Sequence, residues 1–554
     1  MQRRHFIKLS ATASATLLFS RVTYAGGNAA MINHPDEAWA KTDGDWFRLK
    51  ADGKGGYSAN GVETGVRANN NANSVYIQSH SPLAGVKLKW NHKTGASAKV
   101  AGDHFERSYG DLAWRSLGSA IKCPWYMLIN DGNDTACFGV KTGPNTICWW
   151  TADADKIELT LDTHSGGSPV HLGDRKLHAA DIVTMQSRAG ENAYATDHRF
   201  CKMMCDKPRL PKQPVYGIND WYFAYGDNSF ELIKKTTGMM AELVTDTQNK
   251  PFSVIDAGWA EYSPLLPGDG GWNERYDRPN NKFKDMHLMA GEIKKLGMRP
   301  GLWIRPLCAH HDESKTLLAP SIPGRNDPKA PILDPTIPEN IERIKNYFGV
   351  YKQWGIEMVK HDYSTYDIFG RWGFKMLDAI TVPNWSFRDN TKTNAEIINH
   401  LYRSIRSAAG DGIYIIGCNT VSHLSAGLFE LNRIGDDTSG REWPRVKKYG
   451  VNTMAFRLPQ HNAFYAADGD CVGVTKEISW EHNKQWMQLL AESSAPLFIS
   501  AQPEATGPEH KKYIKECFAR AAKPQPLAEP LDWMTNPFPV KWKLNNREVT
   551  FNWD

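Results

Sequence analysis

The chain of 554 residues is too long for one compact core, and its 41% hydrophobic and 23% charged residues are values of globular proteins, which excludes a disordered chain. The formal net charge of +5 falls to +1 without residues 1–25, because that segment holds Arg3, Arg4, Lys8 and Arg21 and no acidic residue. A balance so close to neutral argues against nucleic acid or an anionic membrane as a partner.

The first 25 residues have the features of a twin-arginine export signal. Arg3 and Arg4 are followed by a modestly apolar stretch and by a small-residue cleavage site near Ala25. A first helix of the fold is the alternative, but Arg21 interrupts the apolar run, which is also too short to span a bilayer. We therefore expect a periplasmic or secreted protein.

Nine cysteines occur without a CxxC pair, which argues against zinc sites of the finger or ribbon kind. The sequence has no haem CxxCH motif and no dinucleotide fingerprint, so neither cofactor is indicated. We interpret AHHDES (309–314) as a polar loop rather than a metal site, because its spacing supplies no third ligand. Twin-arginine cargo folds in the reducing cytoplasm, so most thiols are expected to be free and buried, with one or two late disulfides left open.

Residues 26–208 are rich in Gly, Asn, Asp, Ser and Thr and contain short alternating runs such as VKLKW (86–90) and KIELTLDTH (156–164). Alternation with period two and frequent turn residues are typical of β-strands joined by turns. We expect a β-sandwich, which the link DKPRLPKQP (206–214) closes.

Residues 209–505 alternate short apolar runs with helical patterns, which predicts an α/β fold, a (β/α)8 TIM barrel. A doubly wound sheet is the competing fold, but it would place a Gly-rich phosphate loop after its first strand, where this chain has Asn219-Asp220-Trp221-Tyr222. One helical face is made by Met286, Met289, Ala290, Ile293 and Leu296. The eight predicted strands are VYGINDW (215–221), FSVIDAGW (252–259), RPGLWIRP (299–306), IEMVKHD (356–362), IYIIGCN (413–419), ELNRIGDD (430–437), HNAFYAADGDCVGV (461–474) and SAPLFIS (494–500).

Residues 506–554 form a C-terminal segment. The stretch PEHKKYIKECFARAAK predicts one helix, and PVKWKLNNREVTFNWD predicts two strands about an Asn-Asn turn. We expect a small C-terminal β segment.

Charged residues stand where the predicted barrel strands end. Residues two apart on a strand point to the same side, so Lys360 and Asp362 share one face at the end of the fourth strand. On the sixth strand the same rule places Arg433 on one side with Asp437 rather than with Asp436. We therefore expect Asp437 to face Asp362 across the mouth of the barrel.

Two carboxylates across an aromatic-lined mouth suit glycoside hydrolysis, in which one attacks and the other protonates the leaving oxygen. A lysine beside Asp362 would keep it ionised, as a nucleophile must be. Taken singly, each motif has a plainer interpretation: Lys-x-Asp as an ion pair and Gly-Asp-Asp as a turn. A carbohydrate-binding protein without catalysis is the alternative of another class, and the pair of carboxylates argues against it.

From these motifs onward the sequence resembles the α-galactosidase or melibiase group of glycoside hydrolase families 27 and 36, with the closer likeness to family 36. The resemblance covers about residues 210–505 and keeps the order of the motifs. They are GINDWYFAYG (217–226), VIDAGW (254–259), PGLWIRP (300–306), ILDPTIPENIERI (332–344), WGIEMVKHDYS (354–364), RIGDDTSGREW (433–443) and AADGDCVGV (466–474).

The resemblance implies a retaining α-glycosidase that acts on terminal sugars without a metal or an organic cofactor. It gives Asp362 the position of the nucleophile and Asp437 that of the acid/base. It implies that Lys360 and Arg433 hold sugar hydroxyls and that Asp256 lies at the bottom of the sugar subsite.

Further side chains are expected around the sugar. The resemblance makes Trp221, Trp259 and Trp303 walls of the pocket. Cys418 and Asp470, at the ends of the fifth and seventh strands, are also candidates for substrate contact, and a structural hydrogen-bonding role is an equal alternative for Asp470.

One departure from the family pattern concerns the sugar. The family carries two adjacent aspartates before Gly-Trp, which together bind the O4 and O6 hydroxyls of galactose, whereas this chain has Asp256 followed by Ala257. Losing a charged acceptor could cost about 1.5–3 kcal/mol, enough to change the preferred epimer. An α-N-acetylgalactosaminide, an α-glucoside or a β-L-arabinopyranoside is the alternative substrate. We also expect a loop of the N-terminal module to reach the barrel.

Overall fold

The computed structural model describes residues 32–69, 72–95, 97–118, 120–262, 274–325 and 330–554. The export signal predicted for residues 1–25 lies outside these ranges. Within them, no helix combines the length and the apolar character that crossing a bilayer requires. All nine cysteines are unpaired and buried, which confirms the expectation of free thiols.

In the ranges that the structure describes, the N-terminal part contains fifteen strands and one helix. The helix is α1 (Ala193–Met204). The strands are β1 (Glu37–Lys41), β2 (Phe47–Arg48), β3 (Lys50–Ala51), β4 (Gly56–Ala59), β5 (Val62–Asn69), β6 (Ala72–Ser79), β7 (Gly85–Asn91), β8 (Lys99–Gly102), β9 (Arg115–Ser116), β10 (Cys123–Pro124), β11 (Tyr126–Asn130), β12 (Thr135–Val140), β13 (Ile147–Ala152), β14 (Lys156–Asp162) and β15 (Leu177–Gln186).

These strands form two antiparallel sheets that share a core. One sheet has the order β10-β13-β14-β7-β1-β2, and the other has the order β3-β4-β5-β6-β15-β12-β11-β8-β9. Phe138 of the nine-stranded sheet contacts Trp150 of the six-stranded sheet, with 6.1 Å between the ring centroids. The alternating sequence runs therefore bury one side of strands such as β1 and β5 between the two sheets.

The second part of the chain alternates strands and helices. Its strands are β16 (Tyr216–Asn219), β17 (Phe252–Ile255), β18 (Ala260–Tyr262), β19 (Glu274–Pro279), β20 (Arg299–Ile304), β21 (Met358–His361), β22 (Tyr414–Gly417), β23 (Leu431–Arg433), β24 (Ala466–Asp468), β25 (Cys471–Val474) and β26 (Leu497–Ala501). Its helices are α2 (Trp221–Ala224), α3 (Phe230–Ala241), α4 (Met286–Lys295), α5 (Pro338–Trp354), α6 (Ser364–Phe369), α7 (Phe374–Asp378), α8 (Asn394–Ala409), α9 (Ser422–Ser425), α10 (Trp443–Val446), α11 (Asn452–Arg457) and α12 (Trp480–Glu492).

Nine of these strands form one parallel sheet in the order β24-β23-β22-β21-β20-β17-β16-β26-β25. The two edge strands, β24 and β25, are consecutive in the chain and are separated by Gly469 and Asp470. The sheet therefore curls until its two edges meet on one chain segment, which makes the domain TIM-barrel-like.

The predicted seventh strand is thus interrupted, so the structure has nine strands where the sequence suggested eight. Asp470 has a φ of 73°, in the left-handed region that a continuous strand does not use. Its carboxylate accepts a hydrogen bond from the backbone N–H of Thr438 at 2.8 Å. This contact turns the chain between β24 and β25.

The helices follow the sequence patterns. In α4 the predicted face is confirmed for Met286, Met289, Ala290 and Ile293, which are all buried, whereas Leu296 is the residue after the helix and is half-buried. Such a stripe packs an amphipathic helix against the outside of the sheet. These helices leave the carboxyl ends of the parallel strands open for the site.

The C-terminal part consists of α13 (Pro508–Ala521) and a three-stranded sheet of β27 (Glu529–Pro530), β28 (Lys541–Leu544) and β29 (Arg547–Thr550). The predicted hairpin is confirmed. Asn545 and Asn546 connect β28 to β29 with φ values of 49° and 62°. Positive φ at both central residues is the requirement of a type I′ turn, which asparagine tolerates.

Candidate active site

The fourth strand of the parallel sheet, β21, alternates as the sequence predicted. Lys360 points into the site, where its Nζ lies 2.7 Å from an oxygen of Asp256. His361 points the opposite way and packs against the rings of Tyr402 and Phe429, at centroid distances of 5.4 and 5.6 Å. Burial lowers the pKa of His361 to about 3, so this histidine stays neutral.

Asp362 directly follows this strand and is held by neutral hydrogen-bond donors. The indole N–H of Trp303 donates to Oδ2 at 3.0 Å. The backbone N–H groups of Tyr363 and Asn419 donate to Oδ1 at 2.7 and 3.0 Å. No cation forms an ion pair with Asp362 within the described ranges. The carboxylate is therefore oriented by fixed donors alone.

The residue after Asp362 has an unusual backbone conformation. Tyr363 has a φ of 63°, which is uncommon for a bulky side chain. The guanidinium of Arg305 lies 4.5 Å from the ring centroid of Tyr363, and Arg305 pairs with Asp367 at 2.6 Å with both groups buried. This packing stabilises the sharp turn that directs Asp362 toward the mouth of the sheet.

Asp437 and Asp436 follow the sixth strand, β23, and have different partners. Asp437, whose side chain is 36% exposed, accepts from Arg433 at 2.9 Å. Asp436 is 14% exposed and lies 3.4 Å from Arg445. Gly435 is required before them, because a Cβ there would lie 2.1 Å from the carbonyl oxygen of Tyr449.

A loop of the N-terminal part, residues 103–114 between β8 and β9, reaches this pair. The N–H of Ser108 donates to the carbonyl of Ile434 at 2.8 Å, and the N–H of Asp436 donates to the carbonyl of Ser108 at 2.9 Å. The 103–114 loop thus extends the sheet beside the end of β23. This confirms that the N-terminal module reaches the barrel-like domain.

The 103–114 loop brings a cation to the site that the sequence did not reveal. Arg107 is buried, with one guanidinium nitrogen 2.7 Å from Asp436 and another 3.3 Å from Asp437. The only signal was the charged run DHFER (103–107) inside a region of β-strands. That run gives no indication of which surface it contacts.

The electrostatic environment separates the two adjacent acids. Burial alone would raise the pKa of Asp437, but the charges of Arg107, Arg433 and Lys360 outweigh burial and hold that pKa well below its usual range. Burial raises the pKa of Asp436, although the charge of Arg107 opposes the rise. Asp437 is therefore the acid that the cations hold ionised.

The floor of the site is a buried polar cluster around Asp256. Its Oδ2 accepts from Lys360 at 2.7 Å and from the side-chain amide of Asn219 at 2.6 Å. Its Oδ1 accepts from the backbone N–H of Ala257 at 2.9 Å. Ala257 is itself buried and contributes a methyl group where a second carboxylate was expected from the family pattern.

Asp470 and Cys418 lie deep beside Arg433. Asp470 accepts from Arg433 and from the hydroxyl of Thr438, both at 2.9 Å, and from the hydroxyl of Tyr222. The Sγ of Cys418 lies 3.6 Å from a guanidinium nitrogen of Arg433. Asp470 thus links β23 to the turn between β24 and β25. These contacts are those of a structural hydrogen-bonding residue, the alternative to substrate contact.

The three tryptophans predicted as walls differ in exposure. Trp221 is half-buried and lies against Tyr225, with 5.6 Å between the centroids. Trp303 is 2% exposed and uses its N–H on Asp362. Trp259 is fully buried and donates to the carbonyl of Trp303 at 2.8 Å. Trp259 has no exposed ring face, so its prediction as a wall is wrong.

The polar loop after the third strand holds His310, His311 and Asp312, whose ligand atoms all lie within 4.8 Å of one another. Asp312 is exposed and already pairs with His310 at 2.5 Å and with Arg275 at 3.2 Å. The fold thus brings a third possible ligand, Asp312, to the two histidines, which the spacing did not predict, and the carboxylate of Asp312 is already paired.

Comparison with solved structures identifies the fold. No protein-family model matches the sequence. The structure is similar to the α-galactosidase from Thermus thermophilus in complex with p-nitrophenyl α-D-galactopyranoside, with a TM-score of 0.60 at 15% identity over 88% of this chain and 97% of that one. This chain has the fold of the family 36 α-galactosidases.

Two further structures with this α-galactosidase fold are similar over most of the chain. For the family 36 α-galactosidase AgaB from Geobacillus stearothermophilus, the TM-score is 0.59 at 12% identity, over 87% of this chain and 74% of that one. For the galactosidase domain of an α-galactosidase-sucrose kinase, the TM-score is 0.54 at 16% identity, over 85% and 69%. In TIM-barrel enzymes active sites lie at the carboxyl ends of the strands, where Asp362 and Asp437 lie here.

Proposed function

We propose that the protein is a retaining, exo-acting α-glycosidase of the α-galactosidase type, which removes terminal α-linked sugars from oligosaccharides, polysaccharides or glycoconjugates. The observation that carries this proposal is the pair Asp362 and Asp437 after β21 and β23, the two strands on either side of β22. The N–H of Asn419, after β22, donates to Asp362 at 3.0 Å, and the Sγ of the adjacent Cys418 lies 3.6 Å from Arg433, which pairs with Asp437 at 2.9 Å. Two carboxylates that flank one bond are the requirement of glycoside hydrolysis.

In the first step Asp362 attacks the anomeric carbon of the sugar. The bond from that carbon to the leaving oxygen breaks, and its electron pair stays on the oxygen, which takes the proton of Asp437. The product is a glycosyl ester of Asp362. The N–H groups of Trp303, Tyr363 and Asn419 suit this role, because they hold the carboxylate without adding a cation that would weaken its nucleophilicity.

In the second step water hydrolyses the ester. Asp437 accepts a proton from the water as the water oxygen bonds to the anomeric carbon, and the bond to Asp362 breaks. Two displacements restore the original configuration at that carbon. No metal or organic cofactor takes part in either step.

The cluster of Asp256, Lys360 and Arg433 is the proposed sugar subsite. Lys360 pairs with Asp256, and Arg433 pairs with Asp437 and Asp470, so the cluster holds both donors and acceptors for hydroxyl groups. The first candidate sugar is α-galactose. The similar Thermus enzyme, in complexes with p-nitrophenyl α-D-galactopyranoside and with stachyose, supports this choice.

The methyl group of Ala257 favours a second candidate, the same mechanism on another sugar. An acceptor is lost where the family pattern has one, so discrimination between epimers is expected to change. An α-N-acetylgalactosaminide, an α-glucoside and a β-L-arabinopyranoside are the alternatives. Because residues 1–25 have the features of a twin-arginine export signal, we propose that the protein acts in the periplasm or outside the cell.

The test is hydrolysis of nitrophenyl α- and β-glycosides of galactose, N-acetylgalactosamine, glucose and arabinose. We expect activity on one α-linked sugar, or on the β-L-arabinopyranoside, that Asp362→Asn abolishes. Asp174→Asn, at an exposed carboxylate of the N-terminal part, is the matched control. If folded protein hydrolyses nothing but binds sugar in calorimetry, the protein is a carbohydrate-binding protein instead.

A further inference from the structure

The 103–114 loop is anchored to the barrel-like domain at both of its ends. Asp103 forms a buried ion pair with Arg457 at 2.8 Å and accepts from Gln460 at 2.8 Å. Leu112 and Asn452 exchange two hydrogen bonds, at 3.3 and 2.8 Å. Such buried contacts hold the loop backbone in one position. A side chain can act on a neighbour in a defined geometry only if its backbone is fixed in this way.

Arg107 extends from the middle of this loop to both acids at the end of β23. One guanidinium nitrogen lies 2.7 Å from Asp436, another lies 3.3 Å from Asp437, and Nε donates to the hydroxyl of Tyr109 at 3.4 Å. The side chain is only 5% exposed. Arg107 is therefore a buried bridge between two adjacent carboxylates rather than a surface ion pair.

Charged and titratable groups from several elements face Asp437. Arg107 belongs to the 103–114 loop, whereas the others belong to the barrel-like domain. Those others are Lys360 from β21, Tyr363 after β21, Arg433 from β23, the adjacent Asp436, Tyr222 from α2 and Arg445 from α10.

We propose that Arg107 is a positioning residue that holds Asp437 in place and governs its proton transfer, so that the N-terminal part of the chain takes part in the reaction. This inference rests on the proposed function, in which Asp437 gives its proton to the leaving oxygen. Arg107 acts on the sugar only through Asp437.

The expected effect of Arg107 on protonation has two causes with the same sign. A cation beside a carboxylate favours its ionised form, so removing Arg107 raises the pKa of Asp437. Arg107 also neutralises Asp436, and without it the negative charge of Asp436 would further disfavour ionisation of Asp437. Arg433 would still pair with Asp437, so the change is expected to be partial.

The experiment measures kcat/KM against pH for the wild type and for Arg107→Met, which keeps an unbranched side chain and removes the charge. The substrates are the nitrophenyl glycoside that the wild type hydrolyses and a disaccharide of the same sugar. On the disaccharide, whose leaving oxygen needs the proton of Asp437, we expect the basic side of the variant's profile to move upward by about 1 pH unit or more. On the nitrophenyl glycoside, whose leaving group needs no proton, the shift is expected to be smaller. The acidic side is expected to stay, because Arg107 does not contact Asp362.

Arg115→Met is the matched control, since Arg115 begins β9 at the end of the same loop and its side chain is 46% exposed. A profile of Arg107→Met that coincides with that of Arg115→Met would overturn the proposal. If Arg107→Met does not fold, Arg107→Lys decides the matter. The shorter lysine side chain places its charge farther from Asp437, so the basic side of the profile must move in the same direction by a smaller amount. An unchanged profile rejects the role of Arg107.

A separate readout keeps this proposal distinct from the proposed function. If the wild type hydrolyses no glycoside, the function fails, and the carboxyl group of Asp437 can still be titrated by NMR on protein with 13C-labelled aspartate. Its resonance is assigned by its loss in Asp437→Asn. A titration of Asp437 that is the same with and without the Arg107 charge would exclude the proposed coupling.

Discussion

The two carboxylates of the site are held in opposite ways. Asp362 receives three hydrogen bonds from neutral N–H groups, all supplied by the barrel-like domain. Asp437 is held by two cations, one from β23 and one from the N-terminal part. A nucleophile needs orientation without loss of reactivity, whereas the protonation of an acid/base can be adjusted through charge. The difference suggests that the orientation of the nucleophile is fixed within one domain and the protonation of the acid is set between two.

The largest expected effect is at Asp362, the carboxylate that neutral groups hold. Asp362→Asn removes the attacking oxygen, so we expect a loss in kcat of more than about 10⁴-fold on every substrate. The measurement is turnover, with circular dichroism to verify folding. Activity within tenfold of the wild type would move the nucleophile to another residue.

At Asp437, the carboxylate that cations hold, the loss of activity in Asp437→Asn is expected to depend on the leaving group. Loss of the proton donor should cost about 10²–10⁴-fold on a disaccharide. The loss on a nitrophenyl glycoside should be smaller, because nitrophenolate leaves without a proton. The ratio of kcat/KM on the two substrates measures this difference. Equal losses would show that Asp437 is not the general acid, and Asp436→Asn would then be examined in the same way.

The pH profile of the wild type should reflect the cations at Asp437. Because the pKa of Asp437 is lowered, its protonated fraction falls as pH rises, and the rate on a disaccharide should fall with it. We therefore expect an acidic optimum. A profile that rises toward alkaline pH would contradict the assignment of Asp437 as the acid.

Removing one neutral donor is expected to have a smaller effect. Trp303→Phe keeps a ring and loses the N–H that donates to Asp362. A hydrogen bond to a charged group contributes about 1.5–3 kcal/mol, so kcat/KM should fall about 10- to 100-fold. Trp259→Phe is the matched control, because its N–H donates to a backbone carbonyl and its loss should affect stability rather than rate.

The smallest effect on rate is expected at Glu106, which contacts the surroundings of Asp362 and directly precedes Arg107, the partner of Asp437. Glu106 accepts from Gly373 at 3.0 Å and from the side-chain amide of Asn419, the residue whose N–H donates to Asp362. Burial raises the pKa of Glu106 from 4.5 to about 7. Between those values the folded state binds more protons than the unfolded state, so this group lowers the free energy of unfolding as pH rises.

Glu106→Gln should remove that dependence. The difference in free energy of unfolding between variant and wild type should shift in favour of the variant as pH rises from about 4.5 to about 7, measured by urea denaturation at several pH values. A difference that stays constant over this range would show that Glu106 does not titrate there.

The sequence predicts the surroundings of Asp362 better than the surroundings of Asp437. The alternation along β21 places Lys360 and Asp362 on one face from spacing alone, since β-strand geometry is local. Arg107 contacts Asp437 across 330 residues of sequence, and no spacing rule relates two domains whose docking is unknown. The resemblance places Trp259 in the pocket wall, but a tryptophan after a strand end can point toward the mouth or into the core, and the packing, which the sequence does not reveal, buries it here.

The strand order described above also bears on association between chains. Both edges of the parallel sheet lie on the single stretch Ala466–Val474, so the curled sheet presents little free edge to another molecule. The two N-terminal sheets do have open edges, but each is formed by a strand of only two residues: β2, β3, β9 and β10. A long exposed edge is a template for intermolecular pairing and aggregation. The described part of this chain limits that hazard by closure in one domain and by very short edge strands in the other.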